Sequence, residues 1–271
     1  MKKISYILLL CIAITFCITA LQWRETETQA NDCQEITPQT EQPAQGHLNG
    51  DEKTVCNGQT CIITYEGYTV SYNEKNLIPK WVSYELTSAE TDGINSRKDL
   101  RFCQDPSADV AQAEDYDYRN SGWSRGHMAP AADFKWSSTA MEQTFYFTNC
   151  CPQNQSLNAG QWSTLEKKCR DWANRYGSIS VVTGPLIFDN QYGTIGSNKV
   201  IVPDAFFKAV LAKEQSIAFI MYNRPDNENM QKCAMSVDRL EEISGYDFFA
   251  ELDDDLENLV EATYNLKNWG L

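Results

Sequence analysis

Apolar and polar residues alternate through CIITYEGYTVSYN (Cys61–Asn73) and WVSYELT (Trp81–Thr87), the period-two pattern of half-buried antiparallel strands. TFYFTN (Thr144–Asn149) has the aromatic and β-branched content of a further strand. From Trp162 the period changes. Apolar positions at Trp162, Leu165, Cys169, Trp172, Ala173 and Tyr176 follow helical spacing. SISVVTGPLIF reads as a buried strand ended by Gly184-Pro185, and AFFKAVLA and SIAFIMYN as two more strands. SVDRLEEISG then reads as a helix stopped by Gly245. Leu100–Gly122, of mixed charge, reads as a long loop. Strands dominate and two helices are inserted. The expected class is α+β, with a mixed or antiparallel sheet core.

The pattern is different upstream. Two lysines precede an apolar run from Ile4 to Trp23, so residues 1–23 read as a signal peptide or an N-terminal membrane anchor. Cys11 and Cys17 follow the bulky Leu10 and Phe16, which disfavours a lipid-anchored form. Residues 24–59 are polar and rich in Pro, Gln and Thr, a linker composition. The folded domain is then expected over residues 60–271. Together these features imply an exported protein: periplasmic, cell-surface or secreted, with membrane anchoring by the N-terminal segment left open. Cysteine count agrees with that reading. Outside the apolar run there are eight, at 33, 56, 61, 103, 150, 151, 169 and 233, an even number suited to disulfides. Cys56 and Cys61 flank the turn-forming Asn57-Gly58 and are placed to close a small loop. Zinc is the weaker alternative, because no CxxC pair has a partner pair.

The net charge of −14 argues against binding nucleic acid by bulk attraction. It is unevenly spread. Asp247–Glu261 contains many acids and no Lys or Arg, whereas acids and bases balance between Arg97 and Arg175. The acidic stretch reads as a solvated helix face.

Chemistry concentrates between Ser124 and Arg170. Arg125-Gly126-His127 comes first, then Asn149, then Asn158 near a helix start, then Glu166 and Arg170 one turn apart. Hydrolysis of a phosphodiester needs such groups. Imidazole, with an ordinary pKa of about 6.5, is suited to take a proton from water at neutral pH. A hard cation such as Mg²⁺ neutralises the developing charge while held by very few protein oxygens. Arginines clamp phosphate through paired hydrogen bonds.

The segment SGWSRGHMAPAADF…TFYFTNCCPQNQSLNAGQWSTLEKKCR resembles the DNA/RNA non-specific endonucleases, the ββα-metal or His-Me finger family. Its pattern is D-R-G-H, then S-N-x-x-P-Q, then L-N-x-x-x-W-x-x-L-E with an Arg four residues on. VVTGPL, VPDAFFK and SVDRLEEISGYDFF are also similar to family segments, so the likeness covers roughly residues 65–249. The resemblance implies a ββα-metal active-site unit and cleavage of DNA and RNA with little sequence preference, leaving 5′-phosphate ends. It implies Mg²⁺, with Mn²⁺ as the alternative ion, and no small-molecule cofactor. His127 is then the general base and Asn158 the direct metal ligand. Glu166 orders the hydrated metal, Arg170 contacts phosphate, and Asn149 braces the site. Arg97 stands where the family has an upstream Arg, with Arg101 as a competing candidate. Arg125, Arg101 and Lys167 are the further candidates for substrate binding. Ser124 departs from the family Asp, which leaves the rate and the hydrogen-bond partner of His127 open. A catalytically weakened nucleic-acid-binding module is therefore the alternative function. Nothing in the pattern sets an oligomeric state.

Ordinary structural roles exist for the same residues. Ser163-Thr-Leu-Glu166 has the form of a capping box, Asn158 could cap or turn the chain, and Arg170 could pair with Glu166 on the surface. Trp162 and Trp172 are expected in the core, and Cys150-Cys151 in disulfides.

Overall fold

A computed structural model of the protein describes residues 54–271. The segments expected as a targeting run and most of the linker lie outside the described residues, as does Cys33. Among the described residues no helix is long and apolar enough to cross a membrane.

The centre is an eight-stranded antiparallel sheet of order β1-β2-β3-β4-β7-β10-β11-β12. Its strands are Thr54–Asn57 (β1), Thr60–Thr64 (β2), Thr69–Asn73 (β3), Ile78–Thr87 (β4), Ser178–Leu186 (β7), Ala205–Ala212 (β10), Gln215–Tyr222 (β11) and Ala234–Met235 (β12). Two small pairs stand apart: Ser124–His127 (β5) with Cys150–Gln153 (β6), and Thr194–Ile195 (β8) with Val200–Ile201 (β9). The helices of eight residues or more are Ser163–Tyr176 (α1), Val237–Ser244 (α2) and Asp254–Glu261 (α3). The α+β expectation holds.

Alternation explains why the sheet has a core on each side. Phe206, Val210, Ile217 and Phe219 join one cluster with Trp162, Leu165, Cys169 and Trp172 of the helical segment. Phe207, Ala209 and Ala218 join the other, with Val237 and Leu240 of α2 and with Phe248. Successive residues of a strand point to opposite faces, so AFFKAVLA serves both layers. Burying each large apolar side chain stabilises by about 1.5–3 kcal/mol before ordering costs. α2 ends as expected at Gly245, whose φ of 71° is the left-handed cap that glycine adopts without strain.

Several expectations fail for physical reasons. The folded part begins before Thr60: β1 pairs with β2, and Cys56–Cys61 closes the hairpin as a disulfide. Thr144–Asn149 is not a strand; it follows a short helix, Ser138–Gln143, and ends in a single tight turn, Phe147–Asn149. Phe145 and Phe147 are buried by tertiary packing, which overrides β propensity. β7 runs through Gly184-Pro185 to Leu186. The long loop holds a short helix, Asp115–Tyr118.

Candidate active site

β5 and β6 pair antiparallel, with Gly126 opposite Cys151 and His127 opposite Cys150. Glycine is required at 126 because a Cβ there would lie 2.7 Å from the Cβ of Gln153. Asn149 locks the turn that enters β6. Its Nδ2 donates to the Ala129 and Thr144 carbonyls at 2.9 Å, and its Oδ1 accepts from the Ala129 N–H. This fixes the end of β5, and with it the ring of His127.

That ring is buried, 4.7 Å from Phe102 and 4.9 Å, edge-on, from Phe145. The Arg97 guanidinium lies 5.3 Å from the Phe145 ring centre. Burial, then the charge of Arg97, pushes the His127 pKa down to about 3. The imidazole is therefore neutral at physiological pH, and its buried Nε2 has no hydrogen-bond partner.

After β6 the chain turns into the helix. Asn154 is the cap, accepting the Ser156 and Leu157 N–H groups. A wide π-helical turn, Asn158–Trp162, then leads directly into α1. Ser163 already has helical geometry and caps nothing, so the capping-box reading of Glu166 fails. Asn158 is half-buried and its side chain has no hydrogen-bond partner among the described residues. Glu166 is half-buried and likewise uncommitted. Burial pushes its pKa up to about 7, with Asp133 adding to the rise and Lys208, Arg170 and Arg97 opposing it. The charge of Arg97 thus acts on both His127 and Glu166, which sets imidazole and carboxylate around one guanidinium. An amide oxygen and a carboxylate, both free of protein partners, fit a hard divalent cation.

Two buried charges complete the site. Asp133 is wholly buried and accepts from Arg170 Nη1 at 2.6 Å and from the Tyr84 hydroxyl at 2.9 Å. Arg170 is therefore paired with Asp133, not with Glu166. Lys208, on the face of β10 shared with Phe206, is fully buried. Its Nζ lies 4.8 Å from the Trp162 ring centre without a hydrogen-bond partner. Because Lys208 lowers the Glu166 pKa, Lys208→Met should move that pKa above about 7. An acid limb set by Glu166 in a pH–rate profile would then shift to higher pH, while a profile identical to wild type would contradict this coupling.

A family model for DNA/RNA non-specific endonucleases matches residues 49–255. The chain belongs to this family. It is 36% identical over 210 residues to mitochondrial nuclease EXOG of Xenopus laevis, covering 70% of this chain and 59% of that one. It is 32% identical over 197 residues to human mitochondrial endonuclease G, covering 66% of each. Among solved structures it is similar to EndoG in the EndoG/EndoGI complex, with TM-score 0.67 and 28% identity over 75% of this chain and 91% of that chain. The chain spans about three fifths of the length of the EXOG relatives.

Membership in this endonuclease family corrects the reading of localisation. The named relatives are mitochondrial, from frog, fish and human alike, which overturns the expectation of export. Lysines before an apolar run were read as an export signal, but that pattern alone does not name a receiving membrane. The cysteines do not favour export either. Among the described residues only Cys56–Cys61 is bridged, while Cys103, Cys150, Cys151, Cys169 and Cys233 are free. Cys150, Cys151 and Cys169 are fully buried and fill the core as small apolar side chains.

The sequence candidates for substrate contact divide. Arg97 faces the site, whereas the exposed Arg101 spends its guanidinium on the Lys98 and Leu100 carbonyls. Arg125 is held by Asp115 at 2.7 Å and lies over Tyr118, and Lys167 pairs with Asp171 at 3.1 Å on the exposed side of α1. Ser124 bonds to Gln155, so it links β5 to the helix entry and not to His127. Asp133 and Lys208 were missed. Their signal was present: a charged residue inside the apolar runs MAPAADF and AFFKAVLA is seldom buried without purpose.

Proposed function

We propose that the chain is a metal-dependent endonuclease that hydrolyses phosphodiester bonds of DNA and RNA with little sequence preference. The observation that carries this reading is His127: buried at the end of β5, its Nε2 without a protein partner, beside the guanidinium of Arg97. A neutral imidazole aimed into a site takes a proton from water as it attacks phosphorus. Asn158 would hold the cation through its amide oxygen, with Glu166 binding the ion's waters. Bound Mg²⁺ or Mn²⁺ would supply electrostatic stabilisation of the leaving oxygen. Arg97 offsets charge that builds on the phosphoryl oxygens, and Arg170, steadied by Asp133, orients a non-bridging oxygen. Asn149 keeps the hairpin turn that aims the imidazole. None of these contacts reads a base edge, so cleavage depends on backbone shape; 5′-phosphate ends are what the family resemblance implies.

The test is degradation of a circular plasmid and of a transfer-RNA-sized RNA by purified protein. Cleavage of both with Mg²⁺, abolished by EDTA and restored by added metal, is the expected result. Absence of metal-dependent cleavage between about pH 6 and about pH 9 would instead favour a binding module weakened by Ser124. Asn158→Ala should raise the metal concentration needed for half-maximal rate, with partial rescue at high Mg²⁺. An unchanged metal dependence would remove Asn158 from its role.

A further inference from the structure

A second cluster of acidic groups lies on the other side of the sheet. Asp238 and Glu241 are one turn apart on α2, whose Val237 and Leu240 pack in the second core with Phe207 and Phe248. Facing them is Glu261, the last residue of α3. The acidic stretch was expected to be a solvated helix face, yet Glu261 is only 3% exposed. α3 is held down beside it, where the Ser216 hydroxyl of β11 donates to the Val260 carbonyl at 2.8 Å and Val260 itself is buried. Glu261 is thus carried inward, and its buried Oε1 has no hydrogen-bond partner.

An unpartnered buried carboxylate is costly unless something compensates it. Among the described residues, no hydrogen-bond partner does so for Glu261 Oε1. The charges that act most on Glu261 are those of Glu241, Glu257, Asp238 and Asp247, all negative. Glu241 spends one oxygen on the Phe248 N–H at 2.7 Å and keeps the other. The C-terminus of α3 adds its own negative end, with no basic residue in the last turn.

We propose that Asp238, Glu241 and Glu261 form a Ca²⁺ site that clamps α3 onto α2. One carboxylate oxygen from each residue lies within 4.8 Å of those of the other two. Small side-chain rotations bring oxygens that close onto one cation at about 2.4 Å, the Ca–O length. Carboxylates favour a hard cation. Ca²⁺ accepts an irregular set of 6–8 oxygens that water can complete, whereas Mg²⁺ demands a near-ideal octahedron. The cation offsets the repulsion between the two helices and satisfies the buried oxygen of Glu261. The site shares no residue with the His127 centre and lies on the other side of the central sheet.

The test uses the full chain carrying Asn158→Ala, chosen to weaken metal binding at the nuclease centre, and the further variants below separate the two sites. Calorimetric titration of EDTA-stripped protein with CaCl₂ should show one saturable site. Melting in CaCl₂ at about a hundredfold over the dissociation constant should rise by about 5 °C. Adding Glu261→Gln should weaken Ca²⁺ binding at least tenfold and abolish the thermal shift. Adding Asp238→Asn, an exposed change that leaves the core intact, should weaken binding less but clearly. The proposal is overturned if the Asn158→Ala protein binds no Ca²⁺ up to millimolar concentration. It is equally overturned if the isotherm is the same with and without Asp238→Asn and Glu261→Gln. Should Glu261→Gln fail to fold, the Asp238→Asn titration decides alone.

Discussion

His127→Ala is expected to lower the rate of DNA and RNA cleavage by at least about a hundredfold, the usual contribution of a positioned general base. The ring is neutral before substrate arrives, because burial between Phe102 and Phe145 and the nearby Arg97 push its pKa down to about 3. No proton need be removed from it first, so acid loss of activity above pH 6 would not come from this residue. Glu166, pushed up to about 7, would set that limb instead. The same pKa has a stability consequence. Unfolded, the imidazole takes up a proton near pH 6.5; folded, it does so only near 3. The folded state therefore loses stability as pH falls through this window. His127→Phe should melt with less acid sensitivity between those values. A variant that cleaves at the wild-type rate would show that the imidazole fills space and nothing more.

Arg170→Ala carries the second large expectation, this time in stability as well as rate. Its guanidinium neutralises the wholly buried Asp133 at 2.6 Å. Removing one partner of a buried pair leaves an uncompensated charge and typically costs about 3–5 kcal/mol. For a domain of this size that is a fall in Tm on the order of 10 °C. The Tyr84 hydroxyl and the charge of Lys208 remain to soften the loss. Adding Asp133→Asn should recover part of it, because a buried amide costs less than a buried carboxylate. Lys167→Ala, which breaks an exposed pair with Asp171 on the same helix, should leave Tm unchanged. Equal melting of Arg170→Ala and wild type would contradict the pairing that orients Arg170.

Where patterning is local, the sequence could be read directly. The helical spacing from Leu165 to Tyr176 and the stop at Gly245 were legible, whereas Trp81–Thr87 is a strand buried on both faces, with Trp81 in one core and Val82 and Tyr84 in the other. Thr144–Asn149 misled because its aromatic residues are buried by contacts distant in sequence, with Phe145 against Phe102 and Phe147 against Tyr118. The motif order pointed to the family, and the family match covers that stretch. What spacing could not show is pairing. Arg170 turns to Asp133 and Arg125 to Asp115, while Lys208 enters the site from a strand far along the chain. The cysteines misled for a related reason. Their count suggested bridges, but Cys150, Cys151 and Cys169 are taken up by the core. Glu261 was hidden in an acidic run, and only the docking of α3 on β11 turns it inward.

The most direct measurement is chemical rescue of His127→Ala. Cleavage of plasmid DNA by the variant is followed at fixed Mg²⁺ while free imidazole is added. If an unprotonated ring held between Phe102 and Phe145 takes the proton from water, the rate should climb with imidazole concentration and fall again when EDTA is added. Wild-type speed without imidazole, or cleavage indifferent to EDTA, would contradict the account.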